Sequence, residues 1–158
     1  MIRFECDYAE GAHQKILENM MRTNLEQTAG YSEDVYSDHA RELIRQACGK
    51  EDLDVHFLVG GTQTNLTVIA SILRPHQGVL CAVSGHVNVH ETGAIEATGH
   101  KVLAMPSTDG KITAAQVQAA YDAHWSDESR EHVVQPGMVY VSQPTDRKST
   151  RLNSSHRN

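Results

Sequence analysis

The sequence has no apolar run long enough to cross a membrane, and its first residues, MIRFECDYAE, lack the pattern of a signal peptide. It also lacks an excess of basic charge: its formal net charge is −6, whereas a general nucleic-acid-binding protein normally carries a basic face. The three cysteines of the 158 residues lack metal-site spacing. We therefore expect a cytoplasmic protein with free thiols that binds neither nucleic acid nor membrane.

Short apolar segments alternate with segments of helical periodicity along most of the chain. The predicted strands are 54–59, 79–83, 101–105 and 137–142. The predicted helices are 12–24, about 34–47, 63–73, 90–98 and 112–123. This alternation is typical of βαβ crossovers and predicts an α/β fold, with a mostly parallel sheet and helices on both faces. Ligands of such sheets bind at the carboxyl ends of the strands, so polar clusters that follow strands are candidate sites.

The last thirteen residues, 146–158, differ in composition from the rest of the chain. They contain four of its fourteen Lys and Arg and a single apolar residue, Leu152, which is too little apolar surface to order the segment. Residues 146–156 also back-translate to a string that resembles a common sequencing adapter. We therefore expect a domain over residues 1–145, a disordered foreign tail over 146–158, and a natural protein that continues beyond Thr145.

Two glycines end the first apolar segment, in the stretch GGTQTN over residues 60–65. One interpretation is a plain turn into a helix with Thr62 as its N-cap. Another is a phosphate site, because a helix N-terminus offers free amides and a positive dipole end, and glycine lets an anion approach the backbone. A Walker-type loop is excluded since no Lys follows the second glycine, and the G-x-G-x-x-G spacing of a dinucleotide site is absent.

A histidine-rich cluster follows the second predicted strand, in SGHVNVHETGAIEATGH. His86 and His90 are four residues apart, with Glu91 adjacent, so a metal site has to be considered. The order H-x-x-x-H-E differs from the zinc motif H-E-x-x-H and no third ligand is indicated, so we expect no metal. A surface or core histidine pair is one alternative; an imidazole stacked on an aromatic cofactor ring, beside an acid–base residue, agrees better with a phosphate corner.

Several ordered pieces together resemble the threonine aldolase and β-eliminating lyase family, whose enzymes use pyridoxal phosphate on the fold-type-I aminotransferase scaffold. The pieces are Phe4–Asp7, Glu33–Tyr36, Phe57–Asn65, Gly85–Gly93 and Val141–Thr145. The resemblance covers about residues 1–145. It implies that the chain forms the N-terminal part of the large domain of such an enzyme.

The resemblance implies a role for each matching position. The amides of Gly61, Thr62 and Gln63 would bind the phosphate of pyridoxal 5'-phosphate. His86 would stack on the pyridine ring and help to move protons, and Glu91 would lie beside this catalytic histidine. The resemblance thus implies that the anion expected at the glycine corner is the phosphate group of this cofactor.

Three further positions are implied to contact substrate or a second subunit. Tyr36 would lie near the active site and reach a neighbouring subunit of a homodimer or homotetramer. Cys6 stands where many members have a substrate-binding Ser, and His90 stands where an aromatic residue is usual. Both departures affect the expected preference among amino acid substrates.

The implied reaction is the cleavage of a β-hydroxy amino acid to glycine and an aldehyde. The family pattern places the Lys that binds the cofactor covalently, and an Asp for its pyridine nitrogen, further along the chain, and none of the five lysines here has that context. We therefore expect the 158-residue chain to be inactive alone. The alternatives are another fold-type-I enzyme (a β-eliminating lyase, an aminotransferase or a cysteine desulfurase), a metal hydrolase, and a non-catalytic phosphate-binding domain.

Overall fold

The computed structural model of the protein describes residues 10–142. Cys6, the pieces Phe4–Asp7 and Gln143–Thr145, and the predicted tail lie outside the described residues. The chain divides into two units, with the boundary between Leu58 and Val59. No helix within residues 10–142 combines the length and the apolar character that a membrane crossing requires.

Residues 10–58 of the first unit contain two helices, α1 (Gln14–Thr23) and α2 (Val35–Cys48), close to their predicted positions. Asp34 caps α2, because its side chain accepts hydrogen bonds from the amides of residues 36 and 37. The Ser37 side chain and amide also hold the pKa of Asp34 below its usual value. Gly49 ends α2 in the left-handed conformation with φ 63°, which glycine adopts without steric cost.

The predicted first strand, 54–59, is wrong. Within residues 10–142 this segment pairs with no other strand, and Val59 is 95% exposed rather than buried. Instead, the Val55 carbonyl of this segment accepts a hydrogen bond from Arg41 Nε of α2. The carbonyl of Leu53, just before the segment, accepts one from Arg45 Nε of the same helix. An apolar run predicts a strand only when a neighbouring strand is available to pair with it.

The second unit is built on a parallel sheet with the strand order β2-β1-β3, where β1 is Gln77–Ala82, β2 is Lys101–Met105 and β3 is Gln135–Val139. The prediction for β2 matches its observed limits. The predicted limits of β1 and β3 differ from the observed ones by one to three residues. The pairing of β1 with β3 shifts register between Gly78 and Val79, so that Gly137 of β3 has no partner residue on β1. A Cβ at Gly137 would lie 2.8 Å from Leu73 Cδ2, which leaves no room for a side chain there.

In the described part of the second unit, residues 59–142, four helices accompany the sheet: α3 (Gly61–Ile72), α4 (His86–Val89), α5 (Ala94–Ala97) and α6 (Ala114–Ser126). A 3₁₀ turn at Arg130–His132 precedes β3. The single helix predicted over 90–98 is wrong, because two short helices flank a turn instead. Thr92 and Gly93 both have positive φ, 56° and 71°, and two successive left-handed residues interrupt a right-handed helix.

The core lies on one face of β1. Val79 and Cys81 alternate with Leu80 along the strand and therefore point to the same side of the sheet. They pack against apolar side chains of three helices and of the residue that follows α3. These are Ile69 of α3, Leu73 directly after it, Val87 of α4 and Ile95 of α5. Cys81 is fully buried, and burial, with a smaller contribution from Glu96, raises the pKa of its thiol to about 11. This packing holds α3 and α4 against the strand that leads into the histidine cluster.

Candidate functional site

The histidine cluster begins directly after β1, at a turn that requires glycine. The Gly85 amide donates to Ala82 O at 2.7 Å, and a Cβ at Gly85 would lie 2.9 Å from that same oxygen. His86 is the first residue of α4. The imidazole thus lies at the carboxyl end of β1, the edge where ligands of parallel sheets bind.

The glycine corner leaves the N-terminus of α3 without a side-chain cap. Gly60 is the N-cap, and no side chain accepts a hydrogen bond from the first amides of the helix. The interpretation with Thr62 as N-cap is wrong, since Thr62 is the second helical residue. A Cβ built at Gly60 or Gly61 would meet no atom within 4 Å, so the approach to these amides is open. The Gln63 side chain bonds backward to the Val59 amide, which fixes the entry of the chain.

The amides of Gly61, Thr62 and Gln63 belong to the first turn of α3 and have no carbonyl partner within the helix. The positive end of the helix dipole adds to the attraction of these amides for an anion. This arrangement can bind a phosphate group. Glycine at the corner matters for access here, since neither Gly60 nor Gly61 has a positive φ.

A buried carboxylate holds His86. Glu91 Oε1 lies 2.7 Å from His86 Nδ1, and the Glu91 side chain is 0% exposed while that of His86 is 35% exposed. The left-handed turn at Thr92 and Gly93 follows Glu91 directly, and the Ala94 amide donates to Glu91 O at 2.9 Å. One edge of the imidazole is therefore anchored in the protein, and part of the ring remains accessible.

The contact with Glu91 defines the chemistry that the imidazole can perform. An ionised carboxylate can only accept, so the proton of a neutral His86 ring lies on Nδ1 in this hydrogen bond. Nε2 then carries a lone pair and can take up a proton. A carboxylate in this position also stabilises the imidazolium that forms after proton uptake.

Asn65 completes this cluster and was not predicted as a site residue. Its Nδ2 donates to Glu91 Oε1 at 2.6 Å, and it lies 3.5 Å from the hydroxyl of Tyr140, which follows β3. Asn65 is one helical turn after Gly61, so it connects the glycine corner to the carboxylate that holds His86. The sequence signal that could have identified Asn65 is a polar side chain at the end of the corner motif, on the predicted helix.

His90 lies next to His86. The two ring centroids are 5.7 Å apart, with an angle of 60° between the ring planes. The His90 amide closes α4 by donating to His86 O. Among residues 10–142, no group of three or more His, Cys, Asp or Glu side chains is arranged to hold a metal ion.

Tyr36 belongs to the first unit, where its hydroxyl donates a short hydrogen bond to Glu26. That hydrogen bond, together with desolvation and the charge of Glu26, raises the pKa of the Tyr36 phenol. Its predicted role at a subunit interface stays a prediction. The role predicted for Cys6 falls outside the described residues.

A cavity of about 120 Å³ opens at the carboxyl edge of the sheet. It lies between Gly85, Tyr140 and the loop 110–112 that follows β2. Lys111, Tyr140 and Ser142, which follow strands β2 and β3, thus line this cavity. A ligand site at this edge is expected for parallel α/β sheets.

The family model described as β-eliminating lyase matches residues 4–148. The chain belongs to this family. Membership confirms the resemblance drawn from the ordered motifs, and the glycine corner and histidine cluster both lie within the matched range.

Two curated relatives are low specificity L-threonine aldolases. One, from Pseudomonas sp. (strain NCIMB 10558), is 26% identical over 154 residues, covering 91% of this chain and 41% of the relative. The other, from Pseudomonas aeruginosa, is 27% identical over 118 residues, covering 73% of this chain and 34% of the relative. The chain therefore spans about two fifths or less of the length of these curated relatives.

A solved structure of Leishmania major threonine aldolase resembles this chain closely, with a TM-score of 0.84 and 45% sequence identity. The match covers 90% of this chain and 41% of that one. It confirms the predicted fold class, an α/β fold of the fold-type-I scaffold with a parallel sheet.

Proposed function

We propose that this chain carries part of the active site of a pyridoxal-phosphate-dependent lyase that cleaves a β-hydroxy amino acid to glycine and an aldehyde. The observation that carries the proposal is the pairing of an accessible imidazole with a buried carboxylate, Glu91, beside an uncapped helix N-terminus. The threonine aldolase names of the relatives support the choice of reaction.

The residues present fit the phosphate of the cofactor. The open approach at Gly60 and Gly61 leaves room for an anion, and the amides of Gly61, Thr62 and Gln63 would bind it. The partly exposed His86 ring would lie against the pyridine ring. When bound, pyridoxal phosphate supplies an electron sink for the electrons of the Cα–Cβ bond that breaks.

His86 would take the proton of the substrate hydroxyl at Nε2. The sequence leaves His86, His90 and Glu91 as candidate bases. Glu91 is fully buried and lies against the Nδ1 edge of the His86 ring, so it would hold His86 and balance its charge. His90 would line the substrate side of His86. An imidazole can accept a proton at one ring nitrogen and later return it, which suits reversible proton transfer.

The proposal also covers the substrate, the cellular compartment and the oligomeric state of the enzyme. The substrate would be a small amino acid, and Cys6 and His90 would influence which one is preferred. The enzyme would act in the cytoplasm as a homodimer or homotetramer, with Tyr36 near the subunit interface. The relatives' aldolase names support only the substrate class.

Binding of pyridoxal phosphate to the 158-residue chain tests the cofactor assignment. Gly61→Val places a branched side chain over the open amides, and losing one hydrogen bond to a charged phosphate should weaken binding about tenfold or more. Gly11→Val is the matched control, because a Cβ at Gly11 also meets nothing within 4 Å but lies in the first unit. Equal affinity for the two variants would show that the corner is only a turn.

The reaction itself is tested on the protein extended to the length of its relatives. With pyridoxal phosphate and L-threonine or L-allo-threonine, glycine and acetaldehyde should appear together. Keto acid formation would instead indicate an aminotransferase, and loss of activity with a chelator would indicate a metal hydrolase. His86→Gln should reduce kcat about 100-fold or more, within the usual range for loss of a general base.

A further inference from the structure

Glu91 Oε1 accepts two hydrogen bonds from residues on different elements. One comes from His86 Nδ1 at 2.7 Å and the other from Asn65 Nδ2 at 2.6 Å. Glu91 Oε2 is buried and has no hydrogen-bond partner among residues 10–142. The orientation of the carboxylate in the described part of the chain therefore depends on the two donors at Oε1.

The backbone that carries Glu91 is held in an unfavourable conformation. Thr92, a β-branched residue, has φ 56°, where such residues are rarely found. Strained backbone of this kind persists where surrounding contacts determine it, and it concentrates at functional sites. The residue that precedes this strained position is Glu91, whose carboxylate is held from α3 by the Asn65 amide.

We infer that Asn65 is a positioning residue for His86 and acts through Glu91. Its amide holds the carboxylate so that Oε1 faces His86 Nδ1, and the carboxylate keeps the ring proton on Nδ1 and Nε2 free to accept. The catalytic meaning of this arrangement rests on the proposed function. The tautomer of His86 does not, because it follows from the hydrogen bonds of the chain alone.

The position of Asn65 gives this contact a second consequence. The first turn of α3 presents the open amides at Gly61, and Asn65 follows one turn later on the same helix. A single rigid element therefore holds both the phosphate site and the carboxylate that orients the imidazole. Displacement of α3 would disturb the two together.

Nitrogen-15 NMR of histidine side chains tests the inference on the 158-residue chain without cofactor. The two ring nitrogens have different shifts when protonated and unprotonated, and His86→Gln identifies the His86 signals. In the wild-type chain, a neutral His86 should show a protonated Nδ1 and an unprotonated Nε2. In Asn65→Ala, the signals should move to a mixture of the two tautomers.

Asn88→Ala is the matched control. Asn88 lies two residues after His86, and its side-chain amide donates to Val83 O rather than to Glu91. This variant loses one asparagine hydrogen bond beside the site and should keep the wild-type tautomer. Glu91→Leu should also give a mixture of the two tautomers, because it removes the acceptor of the Nδ1 proton.

Asn65→Ser is a second variant in case Asn65→Ala does not fold. It keeps a polar group at position 65, but the serine hydroxyl is too short to reach Glu91 Oε1. Unchanged signals of the buried His100 report the fold in each sample. A wild-type His86 tautomer in either folded Asn65 variant would overturn the inference. Unfolding of both variants would also overturn it, since Asn65 would then serve the core. Failure of pyridoxal phosphate to bind the protein extended to the length of its relatives would reject the proposed function alone.

Discussion

Asn65 and Glu91 lie 26 residues apart in the sequence and share a 2.6 Å hydrogen bond between Nδ2 and Oε1. This contact joins α3, which starts at the glycine corner, to the turn that follows α4. Through Glu91 it reaches His86 at the carboxyl end of β1. The two parts of the candidate site are thereby held in one hydrogen-bonded cluster.

The two isoleucines at positions 69 and 72 of α3 should differ strongly in their contribution to stability. Ile69 is 1% exposed and belongs to the core cluster, whereas Ile72 is 56% exposed. Ile69→Ala should lower the free energy of unfolding by about 2–5 kcal/mol, because it removes buried methyl groups and leaves a cavity. Ile72→Ala should change it by less than about 1 kcal/mol. Urea denaturation measures both, and similar losses would contradict the assigned core.

Gly85→Ala should destabilise the turn that presents His86. The added methyl group would lie 2.9 Å from Ala82 O and 3.3 Å from Cys81 Sγ, so backbone or core atoms have to move. We expect a loss of about 1–3 kcal/mol in the free energy of unfolding. Gly30→Ala serves as the control, since a Cβ there meets nothing within 4 Å. Equal stability of the two variants in urea would show that the turn tolerates a side chain.

Thr92→Gly should stabilise the protein, unlike most substitutions by glycine. The φ of 56° at Thr92 is unfavourable for a β-branched residue and costs glycine nothing. Relief of this strain should exceed the added chain entropy of the unfolded state, for a net gain of about 0.5–1 kcal/mol. Thermal denaturation measures the difference. A lower melting temperature would mean that Thr92 makes contacts that outweigh its strain.

Cys81 should react with iodoacetamide far more slowly than Cys48. Burial raises the pKa of Cys81 to about 11, and Cys48 is exposed. A rise of about two units leaves about one hundredth as much thiolate at pH 8, and thiolate is the reacting form. Mass spectrometry after timed alkylation gives both rates. Comparable rates would show that the β1 core opens readily.

The same pKa predicts how stability depends on pH in alkaline solution. The folded chain keeps the Cys81 proton up to about pH 11, while the unfolded chain loses it near 9. The contribution of the protonated Cys81 thiol to the free energy of unfolding is therefore complete below about pH 9. It is lost as the pH rises through 11, a change of about 2–3 kcal/mol. Cys81→Ala should lack this decline when urea denaturation is compared at pH 8 and pH 10.5. Parallel declines would assign the effect to other groups.

Local pattern predicted most elements of the second unit. Residues 101–105 are apolar and end before Pro106, and β2 occupies those residues. The glycine corner was predicted to open a helix, and α3 begins at Gly61. These features depend on neighbours in the sequence, such as the spacing of apolar side chains and the backbone freedom of glycine. The pattern at 54–59 was equally apolar, but a strand also needs a partner that no local pattern supplies.

The sequence by itself determined the α/β class, a glycine corner that opens a helix and the presence of a histidine cluster after β1, because each follows from residues close together in the chain. Only the tertiary structure decided that Glu91 is buried against His86 and that Asn65 donates a hydrogen bond to Glu91. Hydrogen bonds between distant residues depend on how helices pack on the sheet, and that packing is set by the whole core around Val79 and Ile95.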